Sequence, residues 1–184
     1  MATSHLQAAI DAIQAGKVIA YPTESVFGLG CLPLNQSAVM EILELKQRSV
    51  TKGLICVAYS IEQLDEFVDF SMVSDMQAVT DSWPGPCTWL VPARSSTPAW
   101  LTGDHTTLAV RISAYPVVRK LCEKVGPLVS TSANPQGMLP ANSDQQVRAY
   151  FGSKLGYIYP AELPTGNKPT EIRDALSGKV VRNS

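Results

Sequence analysis

The stretch KVIAYPTESVFGLG, residues 17–30, decides the fold prediction because it joins an apolar strand pattern to a cluster of polar side chains. Its first five residues, KVIAY (17–21), form a short apolar run that is typical of a buried strand and that ends at Pro22. The residues before it show helical periodicity from Ser4 to Gly16. A helix followed directly by a buried strand indicates an α/β fold.

The same alternation of helix and strand patterns continues to the end of the chain. Helices are predicted from Asn35 or Ser37, from Ser60 through Val68, over 72–82, from Pro116 to Gly126, and from the cap Ser143 through Phe151. Strands are predicted at 54–58, 88–92, 108–112 and 127–131, and two more short strands flank Ser177-Gly178. No repeat or linker divides this pattern, so one α/β domain is expected.

The composition excludes several classes of protein. The 184 residues are 45% hydrophobic and carry a net charge of −1, which argues against intrinsic disorder and against a general nucleic-acid-binding surface. No apolar run approaches the roughly 18 residues of a membrane span, and the N-terminus lacks the pattern of a secretory signal. The four cysteines stand singly, so free thiols in a reducing cytosol are expected rather than a zinc or redox motif.

The first cluster of candidate functional residues follows the strand at 17–21. It comprises Thr23, Glu24 and Ser25, then the glycines Gly28 and Gly30. Open α/β sheets bind ligands at the carboxyl ends of their strands, and the two glycines would let a ligand approach the backbone closely. Taken alone, the cluster is more typical of an ordinary turn.

The second cluster is cationic and lies between a predicted helix and a predicted strand. Lys46, Arg48 and Lys52 fall within seven residues without an acidic residue among them. A polyphosphate would suit such a group, because arginine offers a planar fork and lysine a mobile point charge. The alternative is capping of the helix C-terminus, which explains Lys46 and Arg48 but not Lys52.

Two further features follow later in the chain. Ser130, Thr131, Ser132 and Asn134 come directly after an apolar strand pattern and offer hydrogen bonds without a fixed charge, which suits a small polar ligand or phosphate oxygens. Arg111 lies within the apolar run LAVRI (108–112). Because a charge in such a place is rarely buried without a partner, a ligand carboxylate or an internal Asp is expected beside it.

Taken in order, these segments resemble one known family. YPTESVFGLG, KQR..TKGL, WPGPCTWLVP, LAVRI, LVSTSAN and PTEIRDA are similar to the YrdC/TsaC family, the threonylcarbamoyl-AMP synthases. The resemblance to the short, single-domain form covers almost all of residues 1–184, with a core at about 7–182. It implies a twisted mixed sheet flanked by helices, with a large concave cleft. Ser49 departs from the pattern, since relatives often carry proline there, but the change removes no ligand-binding group.

The resemblance also implies a reaction. L-threonine, bicarbonate and ATP, with Mg²⁺ bound to the nucleotide, would give L-threonylcarbamoyladenylate and pyrophosphate in the cytoplasm. Proteins of a transfer complex would then move the threonylcarbamoyl group to an adenosine of tRNAs that read codons starting with A. The product there would be N6-threonylcarbamoyladenosine.

Site residues are carried over from the family motifs to matching positions of this chain. The residues expected to bind ATP are Lys46, Arg48, Lys52, Thr107, Ser132, Asn134 and Arg182. Those expected to bind L-threonine are Thr23, Arg111, Ser130 and Thr170. No catalytic nucleophile and no all-protein metal site is implied, because the reaction depends mainly on positioning and charge stabilisation.

Two other functions compete with this interpretation. Members of the family have been thought to bind tRNA or double-stranded RNA, but this chain balances 15 basic with 16 acidic residues and shows no aromatic stacking platform. RNA binding is therefore expected to be weak. A related domain in hydrogenase maturation handles carbamoyl-adenylate, but it belongs to a protein with further domains.

Overall fold

A nine-stranded sheet organises the residues that the computed structural model describes, 2–164 and 169–183. The helices are α1 Ala2–Gln14, α2 Gln36–Lys46, α3 Met76–Asp81, α4 Ala99–Thr102, α5 Pro116–Val125 and α6 Asp144–Phe151. The strands are β1 Ile19–Pro22, β2 Phe27–Gly30, β3 Ile55–Ala58, β4 Cys87–Pro92, β5 Thr107–Ile112, β6 Leu128–Ser132, β7 Tyr157–Ile158, β8 Glu171–Asp174 and β9 Val180–Arg182. Three short 3-10 helices lie at Val50–Lys52, Phe70–Met72 and Gly152–Lys154.

The sheet is mixed, as the sequence predicted. Its strand order is β7-β1-β2-β6-β3-β5-β4-β8-β9. β3 runs parallel to β5, with Val57 opposite Arg111, whereas β6 runs antiparallel to β3, with Ser130 opposite Ile55. Residues that lie opposite each other share one face of the sheet, so Arg111 and Ser130 lie on the same face as Val57 and Ile55.

Side chains alternate between the two faces of the sheet, and the faces are covered differently. On one face, Phe27, Leu29 and Val110 belong to the larger apolar core, to which α2 also contributes. On the other face, Tyr21 and Leu128 pack with apolar residues of α1 and α5. Two residues beyond Leu128 on that second face, the strand presents polar Ser130 instead, so the polar part of this face lies beside α1 and α5 rather than beneath them.

Local capping signals confirm several of the predicted helices. Asn35 rather than Ser37 is the N-cap of α2, because its Oδ1 accepts a hydrogen bond from the Ala38 amide at 3.1 Å. Pro116 is the first residue of α5, and Ser143 Oγ accepts from the Gln146 amide at 3.2 Å at the start of α6. Each signal depends on neighbouring residues alone.

The predicted helix from Ser60 through Val68 is wrong, and the predicted helix over 72–82 is shorter, at Met76–Asp81. Residues 60–68 form turns because the backbone at the end of this segment bonds to residues 92–94, at the end of β4. The Phe67 carbonyl accepts from the Arg94 amide at 3.0 Å, and the Asp69 amide donates to the Pro92 carbonyl at 2.8 Å. Backbone groups that a continuing helix would use are thus paired with another element.

No helix among residues 2–164 and 169–183 combines the length and apolar character that a membrane crossing requires.

Candidate functional site

A cavity of about 660 Å³ lies on the polar part of the second sheet face. Seven of the eleven predicted site residues line it: Thr23, Arg48, Arg111, Ser130, Ser132, Thr170 and Arg182. Three of them are arginines, and none of the described residues that line the cavity is acidic. The wall is therefore positively charged, although the whole chain carries a net charge of −1.

Lys46 lies behind the cavity wall rather than in it. The side chain is buried at the C-terminus of α2, with only 6% of the residue exposed. Its Nζ donates to the Ser132 carbonyl and to the Asn134 carbonyl at 3.0 Å, and it also lies 3.2 Å from Asn134 Oδ1. An ammonium group has three protons, so these contacts occupy its donors and fasten the segment after β6 to the end of α2.

The segment from Ser132, the last residue of β6, to Met138 is held in shape by hydrogen bonds of its own side chains. Ser132 Oγ donates to Asn134 Oδ1 at 2.6 Å, and Asn134 Nδ2 donates to the Met138 carbonyl at 2.8 Å. Asn134 therefore supports the cavity wall without lining it, whereas Ser132 lines it.

Burial, with a smaller contribution from the Arg48 charge, lowers the pKa of Lys46 to about 8.

Arg48 lies in the wall with part of its hydrogen-bonding capacity unused. Its Nη2 donates to the Gly53 carbonyl at 3.0 Å, while its buried Nε has no hydrogen-bond partner. Burial lowers the pKa of this guanidinium from its usual value. A buried N–H without a partner is costly, and the part of the guanidinium that lines the cavity can bind an anion.

Lys52 and Thr107 are not among the residues that line the cavity. Lys52 ends the 3-10 helix Val50–Lys52 and is exposed. Thr107 is the first residue of β5, on the same face as Arg111 but four residues earlier, or about 13 Å along the strand. Their predicted contacts with ATP stay predictions.

Arg111 has an internal partner, but the partner is a glutamate rather than an aspartate. The Arg111 Nη2 lies 3.6 Å from Glu24 Oε2, and its Nη1 donates to Thr170 Oγ1 at 2.7 Å and to Thr88 Oγ1 at 3.3 Å. Its Nε is buried and has no hydrogen-bond partner. Arg111 thus resembles Arg48, since each residue lines the cavity and has a buried Nε without a hydrogen-bond partner.

The floor of the cavity is formed where β2 meets β6. A Cβ atom on Gly28 would lie 3.2 Å from Ser130 Oγ and 3.3 Å from Thr23 Cγ2, so the glycine keeps the space beside these hydroxyl residues open. Gly30 serves another purpose, because a Cβ there would lie 2.6 Å from Cε1 of the Tyr21 ring. The expected approach of a ligand therefore applies to Gly28, which lines the cavity, and not to Gly30.

The last wall residues come from the C-terminal strands. Arg182 Nη2 donates to the Thr170 carbonyl at 2.7 Å, and the Thr170 hydroxyl accepts from Arg111. Burial first, and then the nearby Arg111 charge, lower the pKa of Arg182. Two guanidinium groups therefore lie close enough to repel each other, an arrangement that favours an anion between or beside them.

Several wall residues were not predicted from the sequence. Val26, Leu139 and Pro140 add apolar surface, and Asn142 and Gln146 add amide groups. Leu139 is 78% exposed at the edge of the cavity. Isolated apolar residues in loops carry no pattern from which such a position could have been deduced.

No group of three or more His, Cys, Asp or Glu side chains within the described ranges could hold a metal ion. The guanidinium groups of the cavity wall can bind anions, and its hydroxyls and amides can orient them.

Comparisons with known proteins agree with the fold and the motifs. The chain matches the model of the Sua5, YciO and YrdC family, described as "Telomere recombination", over residues 11–184. It is 49% identical over 180 residues to the threonylcarbamoyl-AMP synthase of Escherichia coli strain K12, which covers 96% of this chain and 94% of that protein.

Solved structures show the same architecture. The structure of P. abyssi Sua5 complexed with L-threonine is 30% identical with a TM-score of 0.87, and the match covers 96% of this chain and 53% of that chain. This chain thus spans about half the length of that Sua5 protein. E. coli YciO, at 22% identity, has the same fold with a TM-score of 0.82, over 100% of this chain and 90% of its own. The predicted family is confirmed: the chain belongs to the Sua5/YciO/YrdC family.

Proposed function

We propose that this protein is a threonylcarbamoyl-AMP synthase, which converts L-threonine, bicarbonate and ATP into L-threonylcarbamoyladenylate and pyrophosphate. The observation that carries the proposal is a cavity wall in which Arg48, Arg111 and Arg182 stand beside hydroxyl residues, with no acidic residue among the described residues that line it. Such a wall suits the phosphates of one substrate and the carboxylate of another. The identity to synthases of this name over 96% of the chain supports the same conclusion.

The reaction needs two bond-forming steps. The threonine ammonium group loses one proton, and the free amine attacks the carbon of CO2, with loss of a second proton, or of bicarbonate, with loss of water, to give a carbamate. A carbamate oxygen then attacks the α-phosphorus of ATP, and the bond between the α-phosphorus and the bridging oxygen breaks to release pyrophosphate. Both steps gain most from substrate alignment and from cations beside the developing negative charge.

The nucleotide would bind at the end of the cavity nearest α2. Arg48 would contact the phosphates directly. Lys46 would act chiefly through Ser132 and Asn134, because its protons are already committed to that segment. We retain Lys52, Thr107 and Arg182 as proposed ATP contacts. Mg²⁺ would enter with the phosphates of ATP and be held by their oxygens and by water.

Threonine would bind around Arg111. Its α-carboxylate suits the guanidinium, and the hydroxyls of Thr23, Ser130 and Thr170 can orient its polar groups.

The wider setting of the reaction is also part of the proposal. The whole chain, 1–184 with its core at about 7–182, would be one domain that hands its adenylate to separate proteins of a transfer complex acting on tRNA. The tRNA itself would bind weakly to this chain. The cytoplasm suits the enzyme because all four cysteines are buried free thiols, as expected in a reducing compartment.

The deciding experiment measures pyrophosphate release with threonine, bicarbonate and RNA each omitted in turn. We expect release to require ATP, threonine and bicarbonate but not RNA, and mass spectrometry should detect the adenylate. Release that ignores threonine, or that strictly requires tRNA, would contradict the proposed function.

A further inference from the structure

Arg111 is more deeply buried than a charged residue normally is, and Glu24 is the acidic group paired with it. Only 6% of the Arg111 side chain and 15% of the Glu24 side chain are exposed. Arg111 Nη2 and Glu24 Oε2 lie 3.6 Å apart, which is close enough for strong attraction in a low-dielectric environment but too far for a good hydrogen bond. Glu24 therefore supplies countercharge without using up the donors of the guanidinium.

The hydrogen bonds of Glu24 run to the end of the strand that carries Arg111. Glu24 Oε1 accepts from Ser113 Oγ at 2.6 Å and from the Ala114 amide at 3.2 Å. Ser113 Oγ in turn accepts from the Tyr115 amide at 3.1 Å, at the N-cap of α5. The carboxylate is thus fixed to the junction of β5 and α5, two to three residues beyond Arg111.

The countercharge matters because Arg111 lies among other cations. Arg182 lies close enough for its pKa to be lowered by the Arg111 charge, and Arg48 lines the same cavity. Without Glu24, the buried guanidinium would face this repulsion before any substrate arrived. It would then move toward solvent or adopt several orientations, since a buried unpaired charge is strongly unfavourable.

We propose that Glu24 is a positioning residue for threonine: it holds the Arg111 guanidinium in the orientation that receives the α-carboxylate. This inference rests on the proposed function. Arg111 Nη1 is held by Thr170 and Thr88 and its Nη2 lies beside Glu24, so the guanidinium keeps one orientation in the cavity wall. Glu24 does not line the cavity, so it acts through Arg111 and not on the reacting amine.

The principal test is Glu24→Gln, which keeps an acceptor for Ser113 and Ala114 but removes the charge. We expect the KM for threonine to rise by about 10- to 100-fold, the size of one charge-assisted contact, while the KM for ATP stays within about twofold. The kcat at saturating threonine should keep the pH profile of the wild type. Glu66→Gln is the matched control, because it removes one negative charge from an exposed position outside the cavity wall.

Each result has a definite meaning. An unchanged threonine KM in a folded Glu24→Gln variant would overturn the positioning role. A large fall in kcat with an altered pH profile and an unchanged KM would also overturn it, by indicating proton transfer instead. A wild-type enzyme that releases pyrophosphate without threonine would refute the proposed function, and with it the substrate named here.

Two milder variants cover the case in which Glu24→Gln does not fold. Glu24→Asp keeps the charge on a shorter side chain and should raise the threonine KM less than Glu24→Gln does. Ser113→Ala removes the hydroxyl that fixes the carboxylate while all charges stay, and it should raise the threonine KM about threefold to tenfold. If both left the threonine KM unchanged, the role assigned to Glu24 would be wrong.

Discussion

Replacing Arg48 by alanine should separate phosphate binding from helix capping. The end of α2 is capped by backbone groups, with the Gln47 amide bonded to the Glu44 carbonyl and the Arg48 amide bonded to the Leu43 carbonyl, both at 2.9 Å. Arg48→Ala keeps both bonds, because they do not involve the side chain. It removes one side-chain hydrogen bond, to the Gly53 carbonyl at 3.0 Å, and one buried donor without a partner.

These losses and gains predict a small effect on stability and a large one on ATP binding. The lost hydrogen bond contributes about 1 kcal/mol, and removal of the unpartnered Nε offsets part of that, so Tm should fall by no more than about 4 °C. A charge-assisted contact with phosphate contributes about 1.5–3 kcal/mol, or roughly 10- to 150-fold in Kd. Calorimetric titration with ATP and thermal denaturation measure the two effects separately.

Arg94→Ala is the matched control for Arg48→Ala. Arg94 also donates to one backbone carbonyl, that of Asp65, but it is exposed and lies outside the cavity wall. Its removal should leave the Kd for ATP unchanged. Normal ATP binding by Arg48→Ala, combined with a much lower Tm, would refute the phosphate-binding role and favour capping.

Three further predictions follow from the same geometry. Arg111→Lys, which keeps the charge but loses the fork, should raise the threonine KM strongly and the ATP KM little, and threoninol should be a poor substrate of the wild type. Because burial lowers the Lys46 pKa from 10.5 to about 8, the unfolded chain binds that proton more tightly between these pH values, so the Lys46 contribution to stability rises with pH there. The free energies of unfolding of the wild type and Lys46→Met, measured by urea denaturation, should differ by an amount that changes by about 3 kcal/mol between pH 8 and pH 10.5. A difference that stays constant over this pH range would contradict the prediction. Gln47→Gly should raise Tm by about 2–4 °C in thermal denaturation, because Gln47 has a left-handed φ of 51°, which glycine adopts at lower cost. A lower Tm would show that the contacts of the Gln47 side chain contribute more to stability than the relief of this backbone conformation.

The elements that sequence analysis predicted correctly depend on short-range signals. Asn35 and Ser143 cap their helices through amides three residues later, and Pro116 begins α5 with a φ that suits a helix. The apolar runs of β3 and β5 are buried from both sides, which makes them easy to recognise. None of these features requires knowledge of a distant residue.

The elements that were missed depend on long-range contacts. β2, Phe27–Gly30, has two glycines in four residues, which weakens the strand signal, yet it is fixed because the Tyr21 ring packs where a Gly30 side chain would lie. The turns at 60–68 have the apolar spacing of a helix, but their end pairs with the extension of β4. No property of either segment by itself reveals these partners.

The candidate site shows the same division. Residue types and motif order were enough to name Arg48 and Arg111, both of which line the cavity, as candidates for anion binding. Sequence analysis does not give the direction of a long side chain, so it could not predict that Lys46 Nζ bonds to the segment after β6. The partner of Arg111 was expected to be a substrate carboxylate or an aspartate, and Glu24 is 87 residues away in sequence.

The convergence of the arginines follows from strand register and not from overall charge. Arg111 and Arg182 lie on β5 and β9, and the intervening β4 and β8 keep both on one face, because Arg182 lies opposite Ile172 and Ile172 lies opposite Thr88. Thr88 contacts Arg111 directly. Exposed acidic residues elsewhere balance the charge of the chain but do not neutralise the cavity, because solvent and ions screen exposed charges over distances of about 10 Å. A net charge near zero is therefore compatible with the proposed anion-binding site, because the register places Arg111 and Arg182 on one uncovered face and Glu24, behind the wall, pairs with Arg111.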